Sequence, residues 1–230
     1  MGNEPHELHE PHELHELLRS LRVWDPAVTA LPDFDPATAP ADPLALFTAW
    51  FAQAVAAGQA EPHTMSLATA DEEGLPDVRT VMLHGADASG WSFATHVDSA
   101  KGRQLTARPY AALGFYWPAQ GRQVRVRGPV TAAPAQEGQA DLHARSTGAL
   151  AAALTGRQSQ VLGSAEELVR ASESAWERAR REPDALVPTW TLYQLRPDRV
   201  EFFQGDAARR HVRLNYRRTE EGWAQELLWP

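Results

Sequence analysis

Arg79, Thr95, Ser99, Lys101 and Arg103 place three cations and two hydroxyls in one short stretch of sequence. A helix is expected over 98–107, opened by Asp98 as N-cap. Its free N–H groups and positive dipole end would add to those donors, a set suited to a phosphate. On spacing alone, a solvated helix start with unrelated charges accounts for the same residues. A second group lies in RRHVRLNYRR, residues 209–218, where Arg209, His211 and Arg213 alternate and on a strand would share one face. Such a face is costly against a core unless it meets an anion or water, so it calls for a ligand or solvent. Gln123, Arg125 and Arg127 share a face opposite Val124 and Val126, while Gln158 and Ser159 fall in a loop between helices. Arg125, Arg127, Arg217 and Arg218 read as an exposed strand face, and His63 and His96 as residues satisfying local hydrogen bonds.

The elements that must hold these groups follow from period and punctuation. The chain has 230 residues, enough for one large domain with its own core. EPHELHEPHELH at 4–15 repeats histidine at His6, His9, His12 and His15, but it lacks the H-E-x-x-H spacing of a zinc helix and reads as a solvated extension with no metal. Pro11 can open a helix through Leu14, Leu17, Leu18 and Leu21, and Trp24 to Pro40 reads as a linker. Asp42 and Pro43 start a helix that Gly58 can stop. The period then changes to that of strands at 64–70, 77–86 and 91–96, and after the 98–107 helix at 110–117 and 122–132. Residues 134–181 are helical, with Ser164 and Glu167 as a capping box, and strands return at 189–195, 199–205, 209–218 and 223–229. The expected fold is α+β, an antiparallel barrel at 42–230 with helical insertions behind an extension and linker at 1–41.

Several functions are disfavoured. A net charge of −8 does not suit a nucleic-acid protein, and no run is long and apolar enough for a membrane span. With no cysteine there is no disulfide, thiolate metal site or thiol nucleophile, and the cytoplasm is the default compartment. The dinucleotide G-x-G-x-x-G, the P-loop and the G-x-S-x-G elbow are missing. Of the 22 basic residues, only Lys101 is a lysine, which draws attention to the place where it stands.

DPLALF, ATADEEGLPDVRTVML, FATHVDSAKGRQL, RQVRVRG, RQS at 157–159 and VEFFQG…RRHVRLNY…W…LWP occur in this order from Asp42 to Pro230. Together they make the chain resemble the pyridoxamine 5′-phosphate oxidase family of FMN-dependent split-barrel proteins. The resemblance implies an FMN-binding split β-barrel, antiparallel and Greek-key-like, forming a homodimer with FMN at the interface. It places Arg79, Val81, Met82, Thr95, Ser99, Lys101, Gln123, Gln158, Ser159, Phe203 and Arg213 at cofactor positions, with Lys101 on the phosphate. Ala94, Ala100 and Phe203 depart from a tyrosine, an arginine and a tryptophan.

In the vitamin-forming enzymes the substrate phosphate meets a lysine, a tyrosine, an arginine and a serine; here these positions read His84, Asp141, Arg145 and Ala149. Arg209 and His211, which the resemblance places against the reacting substrate, are both kept as catalytic residues. This pattern implies a flavin oxidase using dioxygen on a small, unphosphorylated, reduced aromatic or cyclic metabolite, similar to the phenazine-biosynthesis branch. A pyridoxamine or pyridoxine 5′-phosphate oxidase and a non-catalytic flavin- or haem-binding split barrel are the alternatives.

Overall fold

The computed structural model describes residues 11–24 and 30–230; His6, His9 and the side chain of His12 lie outside the described residues. Helix α1 (Pro11–Ser20) carries the expected leucine stripe, with Leu14, Leu17, Leu18 and the following Leu21 more than half exposed. Helix α2 (Pro43–Ala56) starts where Asp42 Oδ1 accepts the Leu44 N–H at 2.9 Å and ends before Gly58, whose φ of +70° suits the left-handed turn that closes it.

Ten strands follow: β1 (Thr64–Ala70), β2 (Pro76–Met82), β3 (Gly85–Asp87), β4 (Gly90–His96), β5 (Tyr110–Trp117), β6 (Arg122–Ala132), β7 (Trp190–Leu195), β8 (Arg199–Gln204), β9 (Val212–Thr219) and β10 (Gly222–Leu227). All pair antiparallel, in the order β10-β9-β8-β6-β5-β1-β2, while β7 joins β6 to β4 and β3 pairs with β4. Strand β6 serves both arms: Arg122 to Arg127 pair with β8, and Val130 to Ala132 pair with β7. Gly128 stands at that change of partner, where a Cβ would lie 2.1 Å from the Arg196 carbonyl. The curled sheet closes over α2, whose Phe47 ring packs edge-on against Trp91 and Phe115 and whose Trp50 packs against Phe202. A second apolar cluster joins the helices α4 (Ala135–His143), α5 (Thr147–Thr155) and α6 (Ala165–Arg181) through Leu142, Leu150, Ala153 and Ala179. The fold is α+β, a split antiparallel barrel with helical insertions.

Four local expectations are corrected. The helix read as 98–107 is α3 (Ala100–Ala107), and its cap is Ser99 rather than Asp98. The buried Ser99 hydroxyl donates to His96 O at 2.7 Å and accepts the Gly102 N–H at 3.2 Å. Gly102 permits this tight start, because a Cβ there would lie 2.3 Å from Val97 O. Ser99→Ala is therefore expected to cost about 1–2 kcal/mol of stability, read as a lower urea midpoint at unchanged slope. The segment read as one strand over 77–86 breaks into β2 and β3, where Leu83 N–H bonds His63 O and His84 N–H bonds Ser92 O as the chain changes sheets. The described end of the supposed linker, residues 30–40, is packed: Pro40 O accepts from Tyr216 Oη and Gln225 Nε2, and Phe34 meets Trp50 edge-on. Finally, β9 begins only at Val212, so Arg209 and His211 belong to the preceding turn.

Candidate functional site

The first group of site residues gathers around the start of α3. Arg79 reaches back from β2 to Leu67 O and the Thr69 hydroxyl, donates to Gln104 Oε1 at 2.9 Å and pairs with Asp77. Lys101, in the first turn of α3, is half-buried with Nζ 3.3 Å from Thr95 Oγ1, which in turn lies 3.4 Å from Ser99 Oγ. Burial and the nearby Arg79 guanidinium pull the Lys101 pKa down, only partly opposed by Asp77. A poorly compensated ammonium beside a guanidinium is stabilised by an added anion, so this donor set fits a phosphate.

The loop after α5 supplies two more members. Ser159, at φ +67°, accepts the Ala100 N–H through Oγ at 3.1 Å. Gln158 donates to Ala152 O, while its buried Oε1 has no hydrogen-bond partner among the described residues. Val81 and the half-exposed Met82 end β2.

Asp141 lies in the last turn of α4, and Arg145 follows two residues past its end, four positions further on. Arg145 grips the carboxylate through NH2 to Oδ1 at 2.9 Å and Nε to Oδ2 at 3.2 Å. His84 Nδ1 lies 3.0 Å from Oδ1, and Trp190 Nε1 donates to Oδ2 at 3.3 Å. Burial opposes ionisation of Asp141, but hydrogen bonds and charges from His84 and Arg145 outweigh it and hold the carboxyl well below the usual range. Ala149, in the first turn of α5, adds no polar side-chain atom. A depressed folded-state pKa stabilises the protein above the unfolded value and is lost as pH falls through the folded one. The stability advantage of the native chain over Asp141→Asn should accordingly shrink below about pH 4, measured as melting temperature against pH.

The second group is built on β8, β9 and the turn between them. Phe203 pairs with Gln123 across β6 and with Arg213 across β9. Arg213 is tied to Glu201 at 2.9 Å and to Trp229 O at 2.7 Å, and the buried Glu201 also takes Arg125. Arg209 is exposed at φ +64°, and His211 Nδ1 accepts the Asp206 N–H at 3.1 Å. Strand alternation does not align these residues; a turn presents Arg209 and His211, and only Arg213 belongs to the strand. A cavity of about 600 Å³ opens here, lined by Pro36, Arg209, His211, Val212, Arg213 and Trp229 among others.

No hydrogen bond, ion pair or ring contact among the described residues joins the two groups within one chain. Sequence reasoning missed Trp190, Glu201 and Trp24, whose ring centroid lies 5.3 Å from that of His211. Of these, only a tryptophan alone in a Pro- and Asp-rich stretch offered a signal. His96 Nδ1 meets Thr189 Oγ1 at 2.8 Å. No helix among the described residues is long and apolar enough to cross a membrane.

Residues 51–179 match the pyridoxamine 5′-phosphate oxidase family, and residues 190–230 match the pyridoxine 5′-phosphate oxidase C-terminal dimerisation region. The pyridoxine/pyridoxamine 5′-phosphate oxidase of Pseudomonas syringae pv. tomato is 43% identical over 196 residues, spanning 84% of this chain and 91% of its own. That of Pseudomonas putida is 44% identical over 199 residues with the same coverage. Among solved structures, PhzG from Burkholderia lata, in complex with tetrahydrophenazine-1-carboxylic acid, superposes with a TM-score of 0.81 at 28% identity, covering 88% of this chain and 99% of PhzG. A pyridoxamine 5′-phosphate oxidase-related, FMN-binding protein from Nostoc punctiforme gives a TM-score of 0.65 at 22% identity over 85% of this chain and 100% of its own.

Proposed function

The chain belongs to the pyridoxamine 5′-phosphate oxidase family of FMN-binding proteins, and from that premise we propose that it is an FMN-dependent oxidase of a small, unphosphorylated, reduced aromatic or cyclic metabolite. The observation that carries this reading is Asp141. It occupies both His84 and Arg145, the two side chains left to bind a substrate phosphate, and its own negative charge would repel one. The likeness to PhzG supports the same substrate class.

Bound FMN would accept a hydride from a substrate C–H bond and pass the electrons to dioxygen, yielding hydrogen peroxide. Lys101 and Arg79 would hold the cofactor phosphate, Thr95 and Ser159 would add hydroxyls, and Gln158 Oε1, unpartnered among the described residues, would take a donor. Ser99 acts by fixing the helix start on which Lys101 stands. Val81 and Met82 would meet the cofactor's ring system through backbone, and Gln123, Phe203 and Arg213 would contribute to holding it from the second group.

Arg209, exposed beside the cavity, orients the substrate through its charge. A backbone N–H can only donate, so the bond from Asp206 makes His211 Nδ1 an acceptor and leaves the neutral ring's proton on Nε2. His211 therefore serves the substrate as a hydrogen-bond donor rather than as a base.

The two groups meet only across a subunit boundary, which the match to a dimerisation region supports. Light scattering should accordingly give twice 25.4 kDa, and a monomer that binds FMN tightly would contradict the arrangement. The relatives at 43–44% identity favour a second reading, a pyridoxine/pyridoxamine 5′-phosphate oxidase. Anaerobic bleaching of the bound flavin separates the two: a reduced aromatic metabolite should bleach it within a turnover time, and pyridoxine 5′-phosphate should do so only slowly.

A further inference from the structure

Trp24 lies far from every other site residue in sequence, yet its indole rests against two of them. Its ring centroid is 5.3 Å from His211, edge to face at 68°, and 6.2 Å from Phe203. Two glycines make room for it. A Cβ on Gly205 would meet three indole carbons at 2.8–3.0 Å, and a Cβ on Gly121 would meet Trp24 Nε1 at 3.1 Å. These glycines adjoin, since Gly205 N–H bonds Gly121 O at 2.8 Å. Trp24 itself takes φ +52°, a left-handed conformation that bulky residues adopt only where the surroundings fix them.

The imidazole is thus held from three sides: Trp24 on one, Phe203 at 5.2 Å on another, and the Asp206 N–H on Nδ1. We infer that Trp24 is a positioning residue for His211, seated on the Gly121–Gly205 pair so that the imidazole keeps its Nδ1 on the Asp206 amide and turns Nε2–H toward the substrate. The inference rests on the assignment of His211 to the reacting site, but the contact that it concerns exists without cofactor or substrate. It also gives a reason for glycine at 205, where nothing but the indole crowds the missing side chain most closely.

The test uses the full-length protein without FMN and reads the lone pair directly. Diethyl pyrocarbonate attacks the unprotonated ring nitrogen, which in this arrangement is Nδ1 and is covered by Asp206 N–H. His211 should therefore be modified slowly in the native chain, as followed by peptide mass spectrometry. Trp24→Ala should speed its modification by about tenfold and raise deuterium exchange at the Asp206 amide to a similar degree. Trp24→Phe, which keeps an aromatic edge, should restore most of the protection. Gly205→Ala should reproduce Trp24→Ala by expelling the indole, and should add little in a Trp24→Ala background. Equal modification and exchange rates in the native chain, Trp24→Ala and Gly205→Ala would overturn the inference. Because no step needs flavin, failure of FMN to bind would leave this result standing, and the flavin reading would fall by itself.

Discussion

Pyridoxine 5′-phosphate is expected to be a poor substrate, with kcat/KM roughly 10³-fold or more below that of an enzyme carrying a full set of phosphate donors. A phosphate dianion is held by several charge-assisted donors, each contributing about 1.5–3 kcal/mol. The resemblance sets His84 and Asp141 at the lysine and tyrosine positions and Ala149 at the serine position, and Arg145 is already gripped by Asp141 through two bonds. A phosphate would have to displace that carboxylate or lie beside it, and either cost falls on substrate binding and turnover together. The converse is the stronger test. Combining His84→Lys, Asp141→Tyr and Ala149→Ser should free Arg145 and raise kcat/KM for pyridoxine 5′-phosphate by about 10²-fold or more, followed as peroxide release. A micromolar KM with efficient turnover in the native chain would sink the proposal and promote the vitamin-forming reading.

The second large effect belongs to Lys101. Replacing it with alanine should weaken FMN binding by roughly 100-fold, the equivalent of one charge-assisted contact of about 2.7 kcal/mol, measured by quenching of FMN fluorescence on titration. The FMN-free protein should behave differently from an ordinary truncation. Because the ammonium is half-buried with, among the described residues, only the Thr95 hydroxyl as hydrogen-bond partner, its removal relieves desolvation, and the melting temperature of the cofactor-free chain should hold or rise. Loss of FMN affinity together with a collapse of apo stability would instead make Lys101 a structural residue.

Legibility in the sequence varied with the kind of interaction. Strands β1, β5 and β6 were plain because a half-buried strand must alternate, and β6 does so from Arg122 to Val130. The cap of α2 was equally readable, since Asp-Pro is a local signal with a local cause. The cap of α3 was not: Asp98 and Ser99 are both good caps, and the choice between them is made by the carbonyls of 96 and 97 and by Gly102, which only the fold brings together. Alternation misled at Arg209 and His211, where a turn imitates a strand period. At the site, the resemblance named His84, Asp141 and Arg145 one at a time. That His84, Arg145 and Trp190 all converge on the Asp141 carboxylate depends on α4 lying against β7. Trp24 was hidden for the same reason, because nothing near it in sequence announces the pair of glycines it covers.

Strand β6 also has a kinetic consequence. It is the only strand that borders β5, β7 and β8 alike, and its register must suit all three. Most of these pairings join residues far apart along the chain, so little can be gained locally before the ends of long loops have been brought together. Folding of the barrel should therefore be slow and all-or-none, nucleating on β6 with all three partners rather than on the β5–β6 hairpin alone. The Arg79 border hangs from one edge of β6 through β5, β1 and β2, and the His211 border from the other through β8 and β9. A chain that has not yet placed β6 carries neither border, and one that has placed it acquires both in a single transition.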